Sequence, residues 1–339
     1  MGISRYRLPD GVEVEGERGS TVTFRVTVPS DDVGHIGRQC PSCRALFRMR
    51  ADDYVALPED LSLTCPYCRF SADHGEFITS QQLERARAAV GNWAQQMAAD
   101  KIGKALDDMV RTVNRSSSGG MFRMTASRGP SRPFRPSPLP VITEPAPIRE
   151  RQCQTCSNRY AVLGQHIACP VCGPLPPKVV AEDALAAQSA ILDALGQLPA
   201  GALDQLRELG SVDQTASSAL GAIVSALETY LKATFHDRVT GAESLTAGRG
   251  NIFQRLDHTN ELYRDNLGVD LAGALGADWG RLRVLYGIRH LLTHNSGVVD
   301  DRHLKRFPDF PVALGHRVTV SLADARDAIR IGHQLLAAT

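Results

Sequence analysis

CPSCRALFRMRADDYVALPEDLSLTCPYC, residues 40–68, opens and closes on a Cys-x-x-Cys pair, and CQTCSNRYAVLGQHIACPVCG, residues 153–173, repeats the device. All eight cysteines of the chain belong to these four pairs: Cys40/Cys43, Cys65/Cys68, Cys153/Cys156 and Cys169/Cys172. A Cys-x-x-Cys turn lets two thiolates grip one metal from a tight loop, and two such turns complete a tetrahedral four-sulfur site suited to zinc. Twenty-one residues separate Cys43 from Cys65 and twelve separate Cys156 from Cys169, enough for a short β excursion in each case. Three of the four knuckles carry proline, and Gly173 lets backbone amides turn toward sulfur. The spacing predicts two structural zinc ions, each in a closed thiolate shell with no open position for substrate. A thioredoxin-like redox role fits poorly, because every pair has a partner and none opens a helix in an α/β setting.

Both segments resemble zinc ribbons, with Phe47 and Tyr160 expected on strands that cover the metal sites. Upstream, GVEVEGERGSTVTFRVTV (11–28) alternates on both sides of a Gly-Ser turn and predicts a hairpin leading into the first ribbon. Downstream, Leu83, Ala86, Val90, Trp93 and Met97 predict an amphipathic helix over 80–113, its stripe resuming after a phase slip at Ile102, Leu106, Met109 and Val113. Residues 114–150 break every period and predict an extended, solvated linker. That linker is basic: Arg111, Arg115, Arg123, Arg128, Arg132, Arg135, Arg149 and Arg151 in and beside it face only Glu144 and Glu150. With Phe122 and Phe134 among them, these guanidinium groups also suit a phosphate backbone and stacked bases.

After the second cysteine cluster the chain is rich in alanine and leucine at helical spacing. Ala184, Ala187, Ile191, Leu195 and Leu198 mark one helix, and Ala216, Leu220, Ile223, Leu227, Leu231 and Phe235 a longer one. Phe253–Leu267, the run Leu282/Leu285/Ile288/Leu292 and Leu322–Leu336 complete a bundle of four to five helices, with a short strand at His316–Ser321. The expected organisation is multidomain: a hairpin and first zinc ribbon (1–79), a helix (80–113), a linker (114–150), a second ribbon (151–180) and a mainly α bundle (181–339).

The chain has 339 residues, a formal net charge of +1 and 43% hydrophobic residues, an ordinary composition for a multidomain globular protein. Its start, MGISRYRLPD, lacks the apolar core of a secretion signal, and Tyr6 stands where a myristoylation signal has Ser or Thr. No apolar run is long enough to span a membrane. The expectation is a cytoplasmic protein with reduced cysteines and no membrane partner.

A second constellation, IRHLLTHNSGVVDDRHL (288–304), gathers histidines, arginines and aspartates at the end of one bundle helix. An imidazole that exchanges a proton near neutral pH and a cation for phosphorane oxygens are the groups that RNA cleavage through a 2'-OH requires. Arg289 and His294 supply them, although five residues place them about 140° apart on an ideal helix. Two other readings stand beside this one. His290 and His294, at i and i+4, could hold a metal with Asp300 or Asp301. Alternatively, Arg289 and the histidines favour the helix dipole at its carboxyl end, with Asn295 or Gly297 as the left-handed terminator. Glu228 is the one acidic residue amid the Ile223 stripe; it is expected at an exposed edge, with orienting a motif residue as the other role.

The Arg-x4-His arrangement with its continuation HNSGVVD resembles the HEPN superfamily, helical bundles many of which are metal-independent ribonucleases; the resemblance covers roughly 181–339. It implies an endoribonuclease in prokaryotic defence or stress, with Arg289, His294, His290 and Asn295 as site residues. It also implies a homodimer that builds one composite site from two copies of the motif. The partners expected are RNA, a second copy of the chain, and a partner protein or trigger. The competing function is a non-catalytic sensor in which the ribbons recognise nucleic acid or protein.

Overall fold

The computed structural model describes residues 6–18, 21–116, 125–127, 129, 134–144 and 150–339. They form two compact units: one runs to Leu163 and includes Ala168–Gly173, and the other comprises Gly164–Ile167 and Pro174–Thr339.

In the first unit β1 (Val12–Arg18) and β2 (Thr21–Val26) pair antiparallel, with a bulge between Val14 and Gly16. The Gly19–Ser20 turn expected between them lies outside the described residues. Then follow β3 (His35–Gln39), β4 (Leu46–Arg50), the short helix α1 (Ala51–Val55), β5 (Leu63–Thr64), β6 (Ser71–Ala72), the helix α2 (Ser80–Ser116), β7 (Glu150–Gln152) and β8 (Arg159–Val162). One four-stranded sheet, in the order β3-β4-β8-β7, joins the two cysteine segments. At its centre Phe47 pairs with Val162, Arg48 with Ala161 and Met49 with Tyr160, all antiparallel. The segments expected as separate modules at 1–79 and 151–180 therefore share a sheet. A lone two-stranded ribbon exposes two edges of unpaired amides and carbonyls, and joining two ribbons covers one edge of each.

α2 is one helix of 37 residues, uninterrupted by the expected phase slip. Its apolar stripe is largely exposed, with Leu83, Val90, Ile102, Leu106 and Met109 open to solvent. The buried side carries Gln82, Ala89, Asn92 and Gln96 instead. Each polar residue there answers a backbone group: Gln82 donates to the Gly37 carbonyl of β3, Gln96 accepts from the Arg7 amide, and Asn92 serves the proline-rich residues 134–144, which run extended along the helix and need partners for their backbone groups. Asn92 accepts from the Ser137 amide at 2.9 Å and donates to its carbonyl at 3.0 Å; Arg85 donates to the Pro140 carbonyl, and Gln81 accepts from the Thr143 amide. This part of the expected linker is docked, whereas Arg123, Arg128, Arg132, Arg149 and Phe122 lie outside the described residues.

The second unit is mostly helical: α3 (Pro177–Gly196), α4 (Ala200–Glu208), α5 (Ser211–Arg238), α6 (Ala242–Thr246), α7 (Leu256–Leu267), α8 (Leu271–Leu275), α9 (Ala277–His294), α10 (Asp301–Arg306) and α11 (Leu322–Ala338). α5 is the central member, burying Ala216, Leu220, Ile223, Leu227, Leu231 and Phe235 as its periodicity predicts. α3 differs: it buries Ala181, Ala184, Leu185 and Leu192, while Ile191 and Leu198 remain exposed. Gly332 of α11 explains this phase, since a Cβ there would meet Leu185 at 3.1 Å; the two helices touch through that notch. Ser321 and Asp324 form a reciprocal cap at the start of α11. The strand expected at His316–Ser321 is reduced to an isolated bridge between Val298 and Arg317. No helix among the described residues is long and apolar enough to cross a membrane.

Candidate functional site

The sheet carries the first knuckle of each cysteine tetrad, Cys40/Cys43 between β3 and β4 and Cys153/Cys156 between β7 and β8, while the second knuckles sit on two separate two-stranded sheets. Cys40, Cys43, Cys65 and Cys68 form one tetrad, and Cys153, Cys156, Cys169 and Cys172 the other; within each, all sulfurs lie within 4.8 Å of one another. Neighbouring sulfurs are 3.6 and 3.7 Å apart in the first tetrad and 3.4 and 3.6 Å in the second. Four ligands at the Zn–S distance of 2.3 Å would stand about 3.8 Å apart in a tetrahedron. The first cysteine of each knuckle is buried and the second exposed. Burial pushes the Cys65 and Cys169 thiols up, so only a cation at the centre would let four thiolates coexist. Both tetrads fit a metal ion.

Every knuckle ends on a left-handed residue: Arg44 (φ 63°), Arg69 (φ 63°), Ser157 (φ 61°) and Gly173 (φ 85°). In the first three, the amide of that residue donates to the carbonyl of the first cysteine, at 2.9, 3.0 and 2.8 Å, closing the same turn. The second knuckles of the two tetrads also bond to each other reciprocally. The Thr64 amide donates to the Pro170 carbonyl at 2.8 Å, and the Ala168 amide to the Pro66 carbonyl at 3.1 Å. Thr64 precedes Cys65 as Ala168 precedes Cys169, and each proline follows its cysteine. The two ribbons thus relate by an approximate twofold, through β4 against β8 and knuckle against knuckle.

The helical unit holds a cavity of about 340 Å³. α5 contributes Glu228; α9 contributes Tyr286, Arg289 and His290; α10 contributes His303 and Arg306. Arg302, also of α10, the α10 N-cap Asp300, and Asn251, Gln254 and Arg255 from the turn before α7 complete the polar lining. Gly287 makes this assembly possible, because a Cβ there would lie 2.6 Å from the Phe307 ring and 3.0 Å from His303. Only glycine lets the segment around α10 approach α9 so closely.

No protein-family model, curated protein or solved structure matches the chain.

At the inner wall Glu228, Tyr286 and His303 are each more than nine-tenths buried. Glu228 Oε2 accepts from Gln254 at 3.1 Å and from Asn251 at 3.5 Å, while its Oε1 has no hydrogen-bond partner among the described residues. The Tyr286 hydroxyl and His303 Nε2 are likewise without one. Burial raises the Glu228 carboxyl above its ordinary value, against the pull of Gln254 and Arg289. It also holds His303 below its ordinary value. At the mouth Arg255, Arg302 and Arg306 are exposed.

Of the sequence-derived site residues, Arg289 and His290 line the cavity and His294 does not. α9 runs unbroken through His294, so the angular separation expected from helical geometry stands. His294 is exposed, with its ring centroid 4.7 Å from that of His290. Asn295 is not the left-handed terminator; Ser296 (φ 51°) and Gly297 (φ 79°) are, and the Gly297 amide donates to the Leu291 carbonyl. Asn295 instead donates its side-chain amide to the Val298 carbonyl, bracing the turn. The metal alternative at His290 and His294 is not assembled: among the described residues, only the two cysteine tetrads bring three or more ligands together. Glu228 was expected at an exposed edge. The sequence signal for its burial was its position between Val224 and Leu231 on the α5 stripe, and the occluding turn at 251–254 is visible only in three dimensions.

Proposed function

We propose that the helical unit is a metal-independent endoribonuclease of HEPN type and that the cysteine tetrads hold two structural zinc ions. The observation that carries the catalytic reading is the joint presence of Arg289 and His290 on one cavity with arginines at its mouth. Burial, with His294 and Arg302 nearby, holds His290 below its ordinary pKa, so at neutral pH it is the unprotonated imidazole that a general base must be. In the proposed reaction the 2'-oxygen bonds to phosphorus as its proton passes to an imidazole. The P–O5' bond breaks, the 5' oxygen leaves with a proton from a second imidazole, and a 2',3'-cyclic phosphate remains. Arg289 offsets the charge on the phosphorane oxygens. His294, one turn from His290, supplies the second imidazole, from the same chain or from a second copy paired across the bundle.

The test is cleavage of RNA in the presence of a chelator weak enough to leave the cysteine sites loaded. DNA, lacking the nucleophile, should remain intact. Arg289→Ala and His294→Ala should each cost on the order of 10²-fold or more with unchanged circular dichroism. Intact RNA under all conditions with wild-type protein would remove the ribonuclease reading.

One observation favours a second reading, a non-catalytic nucleic-acid or protein sensor: His294 lies outside the cavity lining. Toxicity on overexpression that disappears with His294→Ala supports the enzyme; absence of both supports the sensor.

A further inference from the structure

The inner wall of the cavity is chemically one-sided. Glu228 presents a carboxylate with one oxygen unpartnered, and beside it stand side chains with N–H or O–H groups: Gln254, Asn251, Tyr286 and His303. A ligand that satisfies this wall brings a donor to the free Oε1 of Glu228, can set a second donor beside it against Oε2, which Gln254 and Asn251 already approach, and places an acceptor next to them for an amide, hydroxyl or imidazole. The mouth asks for the opposite. Arginines outnumber the one carboxylate besides Glu228 in the lining, Asp300, whose Oδ1 accepts from the His303 amide; among the described residues no ion pair engages Arg255 or Arg302 at the mouth or Arg289 deeper in, so these guanidinium groups together attract an anion and repel a cationic ligand such as an amidine or guanidinium.

Among nucleobases guanine meets the inner wall most fully, with N1–H and N2–H side by side and O6 adjoining. Adenine and cytosine turn a ring-nitrogen lone pair toward the carboxylate, and uracil offers one donor between two acceptors. The cavity volume of about 340 Å³ lies at the small end of ligand pockets and matches one nucleotide rather than a longer stretch of chain.

We propose that this cavity is a guanine-nucleotide pocket: Glu228 reads the N1–H/N2–H edge of the base, and Arg255, Arg302 and Arg289 hold its phosphate. The inference deepens the ribonuclease reading, from which it takes the guanine of an RNA strand as the natural occupant. Recognition of an unstacked base through its Watson–Crick edge is the usual way in which a protein reads a single strand.

The experiment is calorimetric titration of the full-length, zinc-loaded protein with 5'-GMP, 5'-IMP, 5'-AMP, 5'-CMP and guanosine, alongside cleavage of a guanine-containing and a guanine-free RNA oligonucleotide. GMP should bind at least tenfold tighter than AMP or CMP, with IMP intermediate because it lacks the N2 amine. Glu228→Gln should abolish the preference for GMP over AMP. Arg255→Ala should weaken GMP severalfold and leave guanosine unchanged, a second check if the Glu228 variant fails to fold. Equal binding of GMP and AMP, or no binding of either, overturns the inference. Cleavage of both oligonucleotides without base preference also overturns it while leaving the ribonuclease reading intact. Selective GMP binding with no RNA cleavage supports it and removes the ribonuclease reading instead.

Discussion

Arg159 and Asp53, more than a hundred positions apart, are joined three times. The Arg159 backbone amide donates to Asp53 Oδ2 at 2.8 Å, its Nε to the same oxygen at 3.0 Å and its Nη2 to Oδ1 at 2.6 Å. The contact ties α1, which follows the first hairpin, to the start of β8 in the second. It locks the register in which β4 and β8 meet.

The Arg159 guanidinium holds the Asp53 carboxyl below its ordinary value near 3.8. Stability from a depressed carboxyl is complete above the unfolded value and is lost as pH falls through the folded one. Asp53→Asn should therefore lower the melting temperature of the zinc-bound β unit by a constant amount from about pH 8 to about pH 5. A difference that varied across that range would mean that another group controls the contact. Trp93 fluorescence, read in a Trp279→Phe background, reports the transition, since Phe24 packs on that ring from β2 at a centroid distance of 5.2 Å.

The shared sheet makes the two cysteine tetrads interdependent. Cys153→Ser should reduce zinc content from two ions per chain toward none, because the β4–β8 pairing and the Thr64–Pro170 and Ala168–Pro66 bonds fail together. Elemental analysis showing one ion firmly retained would indicate that each ribbon folds alone.

Three knuckles place a residue with a Cβ in the left-handed region, at a cost of about 1 kcal/mol each. Arg44→Gly and Ser157→Gly should raise thermal stability or leave it unchanged, while Gly173→Ala should lower it by about 1 kcal/mol. Equal losses from all three substitutions, in thermal melts at fixed zinc, would contradict a backbone origin.

Glu228 is expected to destabilise the helical unit at neutral pH. Its folded pKa is raised above the ordinary 4.5, so the folded state holds the proton more tightly than the unfolded one. The stability this contributes is present below 4.5 and is lost as pH rises through the folded value. Glu228→Gln should stabilise the protein by roughly 1 kcal/mol at neutral pH, with the gap closing toward acid. Urea titrations across pH test the sign; a variant less stable at neutral pH would mean that Arg289 more than compensates the buried charge.

Cysteine spacing alone was enough to pair the eight cysteines into two tetrads, because a Cys-x-x-Cys turn is a local structure whose geometry four residues decide. Helical periodicity likewise placed α5, α9 and α11 and brought Arg289 and His290 to the end of one helix. Only the tertiary structure decided that the two cysteine segments share a sheet. Pairing of strands with many intervening residues depends on which edges meet, and no short-range pattern encodes that. Only tertiary structure turned the polar side of α2 inward, since Asn92 and Gln81 answer backbone groups of a segment far along the chain. The same holds for the cavity: Glu228 is buried because the turn at Asn251–Gln254 covers it and because Gly287 admits the segment around α10. A charge at an apolar stripe reads as exposed until its covering elements are known, for burial is a property of the neighbours and not of the residue.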